Sequence, residues 1–214
     1  MDAWNTATGK KAVMAVSGLV LAAFVAGHLL GNLQIFLGAA RFNGYARSLE
    51  ELPLLVWGVR MVLLVMVTLH IWSSIQLALI KREARPIGYR KEAHTGSTYA
   101  SRTMYMSGPI LAAFVVYHLM QFTFGAGGTA YHRGDAYGNV IAGFRVPAVS
   151  IFYILSMGLL CLHLRHGLWS IFQTLGFHHE RGTARLKAAA LPAALLVFAG
   201  FCSIPVAVLA RVIP

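Results

Sequence analysis

Five long apolar stretches alternate with short polar stretches along this chain, and each apolar stretch is long enough to cross a bilayer as one helix. The pattern predicts an all-α, integral membrane bundle of five transmembrane helices, numbered I to V, in a single domain over residues 1–214. Several stretches exceed the roughly 20 residues that a spanning helix needs, so we expect tilt or projection beyond the lipid. The predicted bounds are about Ala12–Gly38, Leu52–Ile80, Tyr99–Phe124, Val146–Leu175 and Ala188–Val212.

The basic residues between the helices predict the orientation of the bundle. Connections on one side contain ten Lys and Arg residues and those on the other side contain six, when Arg102 and Arg165 within the helices are left out. Because basic connections stay in the cytoplasm, we expect the N-terminus inside and the C-terminus outside. The ten are Lys10, Lys11, Lys81, Arg82, Arg85, Arg90, Lys91, Arg181, Arg185 and Lys187. The six are Arg41, Arg47, Arg60, Arg133, Arg145 and Arg211.

Composition agrees with a membrane protein. The chain is 57% hydrophobic and 12% charged, with a mean hydropathy of +0.65, whereas soluble domains are about a quarter charged. The net charge of +11 would suggest a nucleic-acid partner in a soluble protein. Here topology and anionic lipid explain it, and no nucleic acid is expected. The two cysteines, Cys161 and Cys202, lie in apolar runs and are expected to be small buried hydrophobes.

Two connections have distinctive composition. The inner one between helices II and III is basic, and Pro86 and Gly88 should prevent a continuous helix there. It suits either docking of a protein partner or contact with anionic lipid, and the residues do not decide between these. The outer connection between helices III and IV is rich in glycine and turn formers, so we expect an irregular cap.

Histidines within the predicted helices point to chemistry, because ionisable groups at that depth need partners. Helices I to IV each supply at least one. At a rise of 1.5 Å per residue, His28 lies about 25 Å from Lys11 and His118 about 24 Å from Arg102. These two histidines should share an outer level of the bundle. The five intrahelical histidines are His28, His70, His118, His163 and His166.

A second pair should lie nearer the inner edge. His70 precedes Lys81 by about 16 Å, and His163 precedes Gly176 by about 20 Å on the same measure. Two imidazoles per level, from different helices, are what two six-coordinate haems b stacked across a membrane require. Such irons have no open position, which favours electron transfer over oxygen chemistry. A satisfied interior group remains the alternative for any single histidine.

The chain resembles the dihaem cytochrome b (b558-type) membrane anchor subunits of succinate dehydrogenase and fumarate reductase, over essentially its whole length. The resemblance rests on the order and spacing of several segments. They are SGLVLAAFVAGHLLGN in helix I, the span from Arg60 to His70 in helix II, ARPIGY and STYASRTM before helix III, VVYHLMQF within it, and HLRHGLWSIFQTLG in helix IV.

The resemblance implies axial ligation of one haem iron by His28 and His118, and of the other by His70 and His163. In helix IV the ligand of the family stands four residues before Gly167, which selects His163 over His166. His166 would then hydrogen-bond a haem propionate or merely pack.

The resemblance also implies a function. The chain would be the membrane anchor of a succinate:quinone oxidoreductase in the bacterial cytoplasmic (inner) membrane, passing electrons between an iron–sulfur subunit and quinone, with menaquinone expected. The flavoprotein and iron–sulfur subunits would sit on the cytoplasmic face, nearest the His70/His163 haem. The chain would not itself be a dehydrogenase, and assembly of the heterotrimer into a higher oligomer is left open.

Glu50 stands where relatives have a glutamate that accepts a quinol proton, with Glu51 beside it. A solvated loop carboxylate is the open alternative for both. A second glutamate of some relatives, two residues before the helix IV ligand, is replaced here by Cys161, which puts any proton path through helix IV in doubt.

Other polar residues could contact these groups. A guanidinium pairs a carboxylate with two hydrogen bonds, so Arg60, Arg102 and Arg165 are candidate propionate partners. Interfacial belts, snorkelling and helix capping are equally good explanations for all of these polar residues. Candidates for hydrogen bonds to haem or quinone are Ser17, Trp57, Ser101, Tyr153, Trp169 and Ser170.

Two other functions remain open. One is the cytochrome b subunit of a hydrogenase or formate dehydrogenase, with the same chemistry and a different partner. The other is a transporter or proton channel that uses the histidines as a relay and contains no haem.

Overall fold

The computed structural model of the protein describes residues 6–84, 103–176 and 180–213, with backbone alone at 180 and 181. Within those ranges the chain forms seven α-helices and one 3-10 turn, and no strand. The prediction of an all-α protein is therefore confirmed. The helices are α1 (Ala7–Leu33), α2 (Ala39–Glu50), α3 (Pro53–Glu83), α4 (Met104–Phe122), α5 (Ala136–Phe144), α6 (Pro147–Thr174) and α7 (Glu180–Leu209), and the 3-10 turn Gln34–Leu37 follows α1.

Four of the helices that the structure describes are long and apolar enough to cross a membrane. They are Ala7–Leu37, Pro53–Glu83, Pro147–Thr174 and Gly182–Leu209. Their outward surfaces are apolar, so lipid is the environment that they fit. The fifth predicted span corresponds to α4, which has only 19 residues and includes Pro109. The residues 99–102 of that predicted helix lie outside the described ranges, so a fifth crossing stays a prediction.

Helix ends follow local sequence signals. Thr6 caps α1 by accepting a hydrogen bond from the Gly9 N–H at 3.0 Å. Both α3 and α6 begin with proline, whose missing N–H has no partner in a first turn anyway. After α6 the chain leaves the helix at Gly176, whose φ of +83° favours glycine.

Two helices were not predicted. The segment of α5 was expected to be part of an irregular connection, and no helix was assigned to the segment of α2, but both form short helices that meet at one end of the bundle. We call α2 and α5 together the cap. Asn43 of α2 donates to the Asp135 carboxylate at 3.0 Å and accepts from the Tyr137 N–H at 2.8 Å. Asp135 also caps α5 by accepting from the Gly138 N–H. That bond, followed by the one from Asn43, lowers the pKa of Asp135.

The long helices pack unequally. α6 packs most extensively on α7, and α1 packs on α3, α6 and α7. α4 packs on α6, while α3 has close neighbours only in α1 and α2 among the described residues. By the same criterion, α1 does not pack closely on α4, and α3 does not pack closely on α6. We call these two loosely packed regions, between α1 and α4 and between α3 and α6, the seams. The candidate site lies across them.

The main hydrophobic core lies at the cap end of the bundle. It is built from α5, α6 and α7 together with residues of α2 and α4, and Tyr153 and Phe114 lie at its centre. Cys202 belongs to this core, as expected, whereas Cys161 is only half-buried. The opposite end has fewer large buried side chains, and its buried residues include small ones such as Ser17, Ser73 and Ser107.

Candidate functional site

Four histidines from four helices meet as two pairs. The ring centroids of His28 on α1 and His118 on α4 are 5.7 Å apart, with the rings nearly perpendicular at 86°. The centroids of His70 on α3 and His163 on α6 are 6.1 Å apart, at 54°. The structure thus brings together the same partners that the depth argument paired. Their role as ligands stays a prediction.

The two pairs lie at separate levels of the bundle. His70 contacts Ser17, which is 11 residues before His28 on α1, or about 16 Å along the helix. His118 contacts Tyr153, which is 10 residues before His163 on α6, or about 15 Å. The two helices give the same spacing, which is about half of the roughly 30 Å hydrocarbon core.

The partners of His70 define which of its nitrogens holds the proton. Its Nδ1 lies 3.2 Å from the Met14 carbonyl oxygen and 3.3 Å from Ser17 Oγ. The carbonyl can only accept, and the Ser17 hydroxyl donates its own proton to the Val13 carbonyl at 2.7 Å. Nδ1 must therefore be the donor, which leaves the lone pair on Nε2. An imidazole of this form can bind a metal through Nε2.

His118 is held in place by two further side chains, those of Tyr153 and Gln121. Its Nδ1 lies 3.3 Å from the hydroxyl of Tyr153. Tyr153 is buried and donates to Gln121 Oε1 at 2.9 Å, one turn beyond His118 on α4. Sequence reasoning named Tyr153 as a possible cofactor contact, and the structure places its hydroxyl between His118 and Gln121. Gln121 was not predicted from the sequence, although a glutamine three residues after a histidine in an apolar run is a visible signal of a side-chain contact on one helix face.

The remaining two histidines have weaker support. The Asn32 amide nitrogen donates to the His28 carbonyl at 2.7 Å and lies 3.3 Å from His28 Nε2. Because an amide nitrogen only donates, Nε2 of His28 holds the lone pair. Asn32 was also missed, and its spacing of four residues from His28 is the signal that could have found it. His163 Nδ1 is buried and has no hydrogen-bond partner.

Phenylalanine rings surround the His28/His118 pair. Phe24 stacks on His28 at 5.3 Å, and Phe201 lies 6.0 Å from it. Phe114 and Phe122 flank His118 at 5.9 and 5.5 Å. At the other level, a Cβ built on Gly18 would lie 3.1 Å from His70 Cε1, so the helix backbone itself approaches that ring.

These features fit a flat, metal-containing macrocycle at each pair. Two imidazoles that bind opposite sides of one metal ion, each nitrogen about 2 Å from the metal, have ring centroids roughly 6 Å apart. Both observed separations are close to that value. The helices within each pair do not pack closely on each other. The lone pairs assigned to Nε2 of His70 and His118 complete the fit, whereas that of His28 Nε2 faces the Asn32 amide, which a metal would have to displace.

The predicted propionate partners are placed less decisively. The Arg60 guanidinium lies 5.0 Å over the ring of Trp57, and both side chains are exposed. Arg165 is half-buried on α6. Arg102, like Ser101, lies outside the described residues.

The polar residues around His163 contact one another. The ring of His166 meets Trp169 edge to face at 5.6 Å, and its Nδ1 is buried without a hydrogen-bond partner. Lys187 Nζ lies 4.5 Å over the same Trp169 ring. The Ser170 hydroxyl donates to the Gly167 carbonyl of its own helix at 3.2 Å. This bond occupies the only proton of Ser170.

An apolar cleft opens beside His28. Its volume is about 380 Å³, and it lies between α1 and the first half of α3. Phe24, which stacks on His28, forms part of its wall. Glu50 is the last residue of α2 and is exposed, four residues before the cleft residue Leu54. The other lining residues are Val20, Leu55, Gly58, Val59, Val62 and Leu63.

Comparison of the chain with protein-family models, with curated protein sequences and with solved structures finds no match. The geometry of the two histidine pairs is thus the feature of the molecule that bears most directly on its function.

Proposed function

We propose that this chain is the membrane anchor and electron-transfer subunit of a succinate:quinone oxidoreductase, and that it binds two bis-histidine haems b. The observation that supports this most directly is the double pairing: four helices supply one histidine each, and the rings meet in pairs 5.7 and 6.1 Å apart at two levels. When bound, each haem iron supplies one-electron transfer. The protein supplies the axial imidazoles, their orientation and an apolar surrounding.

The ligands in this proposal are His28 with His118 and His70 with His163. Each pair bridges two helices that do not otherwise pack closely, so the haem plane would lie in the seam between them. The spacing of about 15 Å between levels puts one centre in each half of the hydrocarbon core.

The topology belongs to the proposal as well. We take α4 as a fifth crossing, with the N-terminus of α1 in the cytoplasm. The iron–sulfur subunit, with the flavoprotein subunit behind it, would dock on the cytoplasmic face, nearest the His70/His163 pair. The basic side chains Lys10, Lys81 and Arg82 lie at this end of α1 and α3 and suit an acidic partner surface or anionic lipid.

Quinone exchange is proposed for the apolar cleft between α1 and α3. The cleft has the size typical of small-molecule sites, opens toward lipid and reaches the ring that stacks on His28. Glu50 lies near its mouth, where an exposed carboxylate could accept a quinol proton. The His28/His118 pair is therefore the one assigned to quinone.

Absorption spectroscopy of the purified chain tests the haem part of this proposal. We expect reduced-minus-oxidised bands of b-type haem and a content of two haems per chain. A colourless protein would contradict the proposal and favour the relay transporter.

The partner is tested separately, by co-purification from the native membrane. Flavin and iron–sulfur subunits with succinate:quinone activity are expected with the chain. Recovery of a hydrogenase or formate dehydrogenase head instead would keep the haem assignment and replace the complex.

A further inference from the structure

We infer that Tyr153, itself oriented by Gln121, is a positioning residue that fixes His118 in the Nδ1–H form and raises its basicity as a ligand. This inference rests on the proposed function, since it concerns how one axial ligand of the His28/His118 haem is prepared. It assigns Tyr153 a place behind the ligand rather than on the cofactor. Gln121 belongs to the site through its contact with Tyr153, although it contacts neither ring nitrogen of His118.

The first step is to count the protons of the hydroxyl. A tyrosine hydroxyl has one proton to donate and lone pairs to accept with. Tyr153 donates that proton to Gln121 Oε1 at 2.9 Å. Its oxygen, 3.3 Å from His118 Nδ1, can then only accept there. The proton of this contact must come from Nδ1, so Nε2 holds the lone pair.

The second step is the orientation of Gln121. A glutamine amide could present either its oxygen or its nitrogen to the tyrosine. Gln121 is 2% exposed, and its Nε2 faces the Thr129 hydroxyl at 3.5 Å. A Cβ on Gly143 would come within 2.5 Å of that nitrogen, so glycine there leaves room for the amide. With the nitrogen directed to the loop, the oxygen is left for Tyr153.

The third step is the rigidity of Tyr153. Its ring is 6% exposed and is met edge to face by Phe144 at 4.9 Å and Phe114 at 5.0 Å. A ring packed in this way cannot swing its hydroxyl away from His118 without disturbing the core at the cap end. The hydrogen bond is thus held by the same packing that stabilises the fold.

The consequence is electronic. A hydrogen bond that accepts the distal N–H of an axial imidazole raises the basicity of the ligand. A more basic ligand stabilises the oxidised iron relative to the reduced one, which lowers the reduction potential. Tyr153 should therefore hold the potential of the His28/His118 haem below the value it would have without this acceptor.

The test is a redox titration of the purified protein, with Tyr153→Phe compared with Tyr117→Phe. Tyr117 is adjacent to His118 in sequence, and its hydroxyl donates to the Gly127 carbonyl at 3.4 Å instead of contacting the histidine. In Tyr153→Phe we expect a higher midpoint potential for the haem that His118→Ala removes, and changed ferric low-spin EPR g-values. The other haem should keep its potential. Tyr117→Phe should leave both potentials unchanged.

Gln121→Leu supplies an independent readout. Without its acceptor, the Tyr153 proton can turn toward His118 Nδ1 and favour the Nε2–H form, so the content of this haem should fall. In the double variant with Tyr153→Phe that proton is absent, and the content should return to that of Tyr153→Phe alone. An additive loss in the double variant would overturn the inference.

Each result separates the inference from the proposed function. Two normal haems in the unaltered protein, together with an unchanged potential in Tyr153→Phe, would overturn the inference and leave the function standing. No haem in the unaltered protein would end both. If Tyr153→Phe does not accumulate, Gln121→Leu decides, and full haem content in that variant would overturn the inference.

Discussion

The two histidine pairs are chemically alike, but their surroundings differ. The His28/His118 pair lies at the cap end, among phenylalanine rings and beside the buried Tyr153 and Gln121. The His70/His163 pair lies nearer the opposite end, where His70 meets a main-chain carbonyl and a serine and His163 Nδ1 has no hydrogen-bond partner. The imidazoles are therefore supported by side chains at one level, whereas at the other level His70 is supported by the backbone of α1 and by Ser17.

The difference determines how easily a substitution should change the properties of each proposed haem centre. A side-chain support such as Tyr153 can be changed by one substitution without disturbing any helix. A backbone carbonyl such as that of Met14 is present whatever the side chain, so the His70 hydrogen bond is insensitive to most substitutions at that position. We expect the His28/His118 centre to be adjustable by point changes and the His70/His163 centre to respond mainly to changes in helix spacing.

The largest expected effects come from removing the histidines. His28→Ala and His118→Ala should each remove the same haem, because either change takes one of its two axial ligands. His70→Ala and His163→Ala should remove the other. Haem content and redox titration of each variant measure this. Loss of one common haem in all four variants would contradict the pairing.

A change in helix spacing should affect only one pair. Gly18→Val introduces side-chain atoms where even a Cβ lies 3.1 Å from the His70 ring, so the ring must move. We expect loss or weakening of the His70/His163 haem alone, measured as haem content. Gly44→Val on α2 is the matched control, because no atom lies within 4 Å of its Cβ position. Equal loss of both haems in Gly18→Val would show that the two levels are not independent.

The cap should contribute to the stability of the fold without altering either histidine pair. Asn43→Ala removes the bonds to Asp135 and Tyr137, with an expected loss of about 1 kcal/mol in the free energy of unfolding. Thermal unfolding in detergent measures this. Ser48→Ala, which removes only a bond within α2, is the control and should have a smaller effect.

This loss should depend on pH. The pKa of Asp135 is lowered from an ordinary value near 3.9 by the Gly138 N–H and then by Asn43. A carboxyl group with a lowered folded-state pKa stabilises the fold above its ordinary pKa, and the contribution disappears as pH falls through the lowered value. The Asn43→Ala penalty should therefore be full at neutral pH and smaller in strong acid, once the pH falls below that lowered pKa. An equal penalty at both pH values would contradict the role of the carboxylate.

The smallest expected effect is a gain. Arg211, after α7, adopts φ +57°, a left-handed conformation that an L side chain disfavours. Arg211→Gly should raise the free energy of unfolding by roughly 0.5–1 kcal/mol, because glycine adopts this conformation without strain. Both haem spectra should stay unchanged. A loss of stability would mean that the Arg211 side chain makes a contribution larger than the strain.

The sequence predicted the long helices better than the connections. The bounds of α3 and α6 differ from the prediction by at most three residues, since apolar length sets both. α7 begins at residue 180 rather than 188, because the polar segment before its apolar run continues the helix. α2 and α5 were missed because they are short and contain glycine, and because cross-connections such as Asn43 to Asp135 stabilise them.

Counting residues from the membrane edge predicted the correct histidine pairs, because the rise per residue is the same in every helix. It could not find Tyr153 and Gln121 behind His118, since that contact depends on the rotation of α4 against α6 as well as on their depth. Nor could it separate Arg60, which lies over Trp57, from an arginine directed into the bundle. Rotation about a helix axis is set by packing, which apolar length does not encode.

The uneven packing of α3 bears on biogenesis. Among the described residues its close neighbours are α1 and α2 alone. The contact with α1 therefore holds most of this 31-residue helix against the rest of the bundle. If the proposed haem binds between His70 and His163, it would be a second connection between α3 and the bundle. A chain synthesised without that group would present a loosely held helix to the quality-control proteases of the membrane. Cofactor supply would thereby set how much of the protein a cell retains.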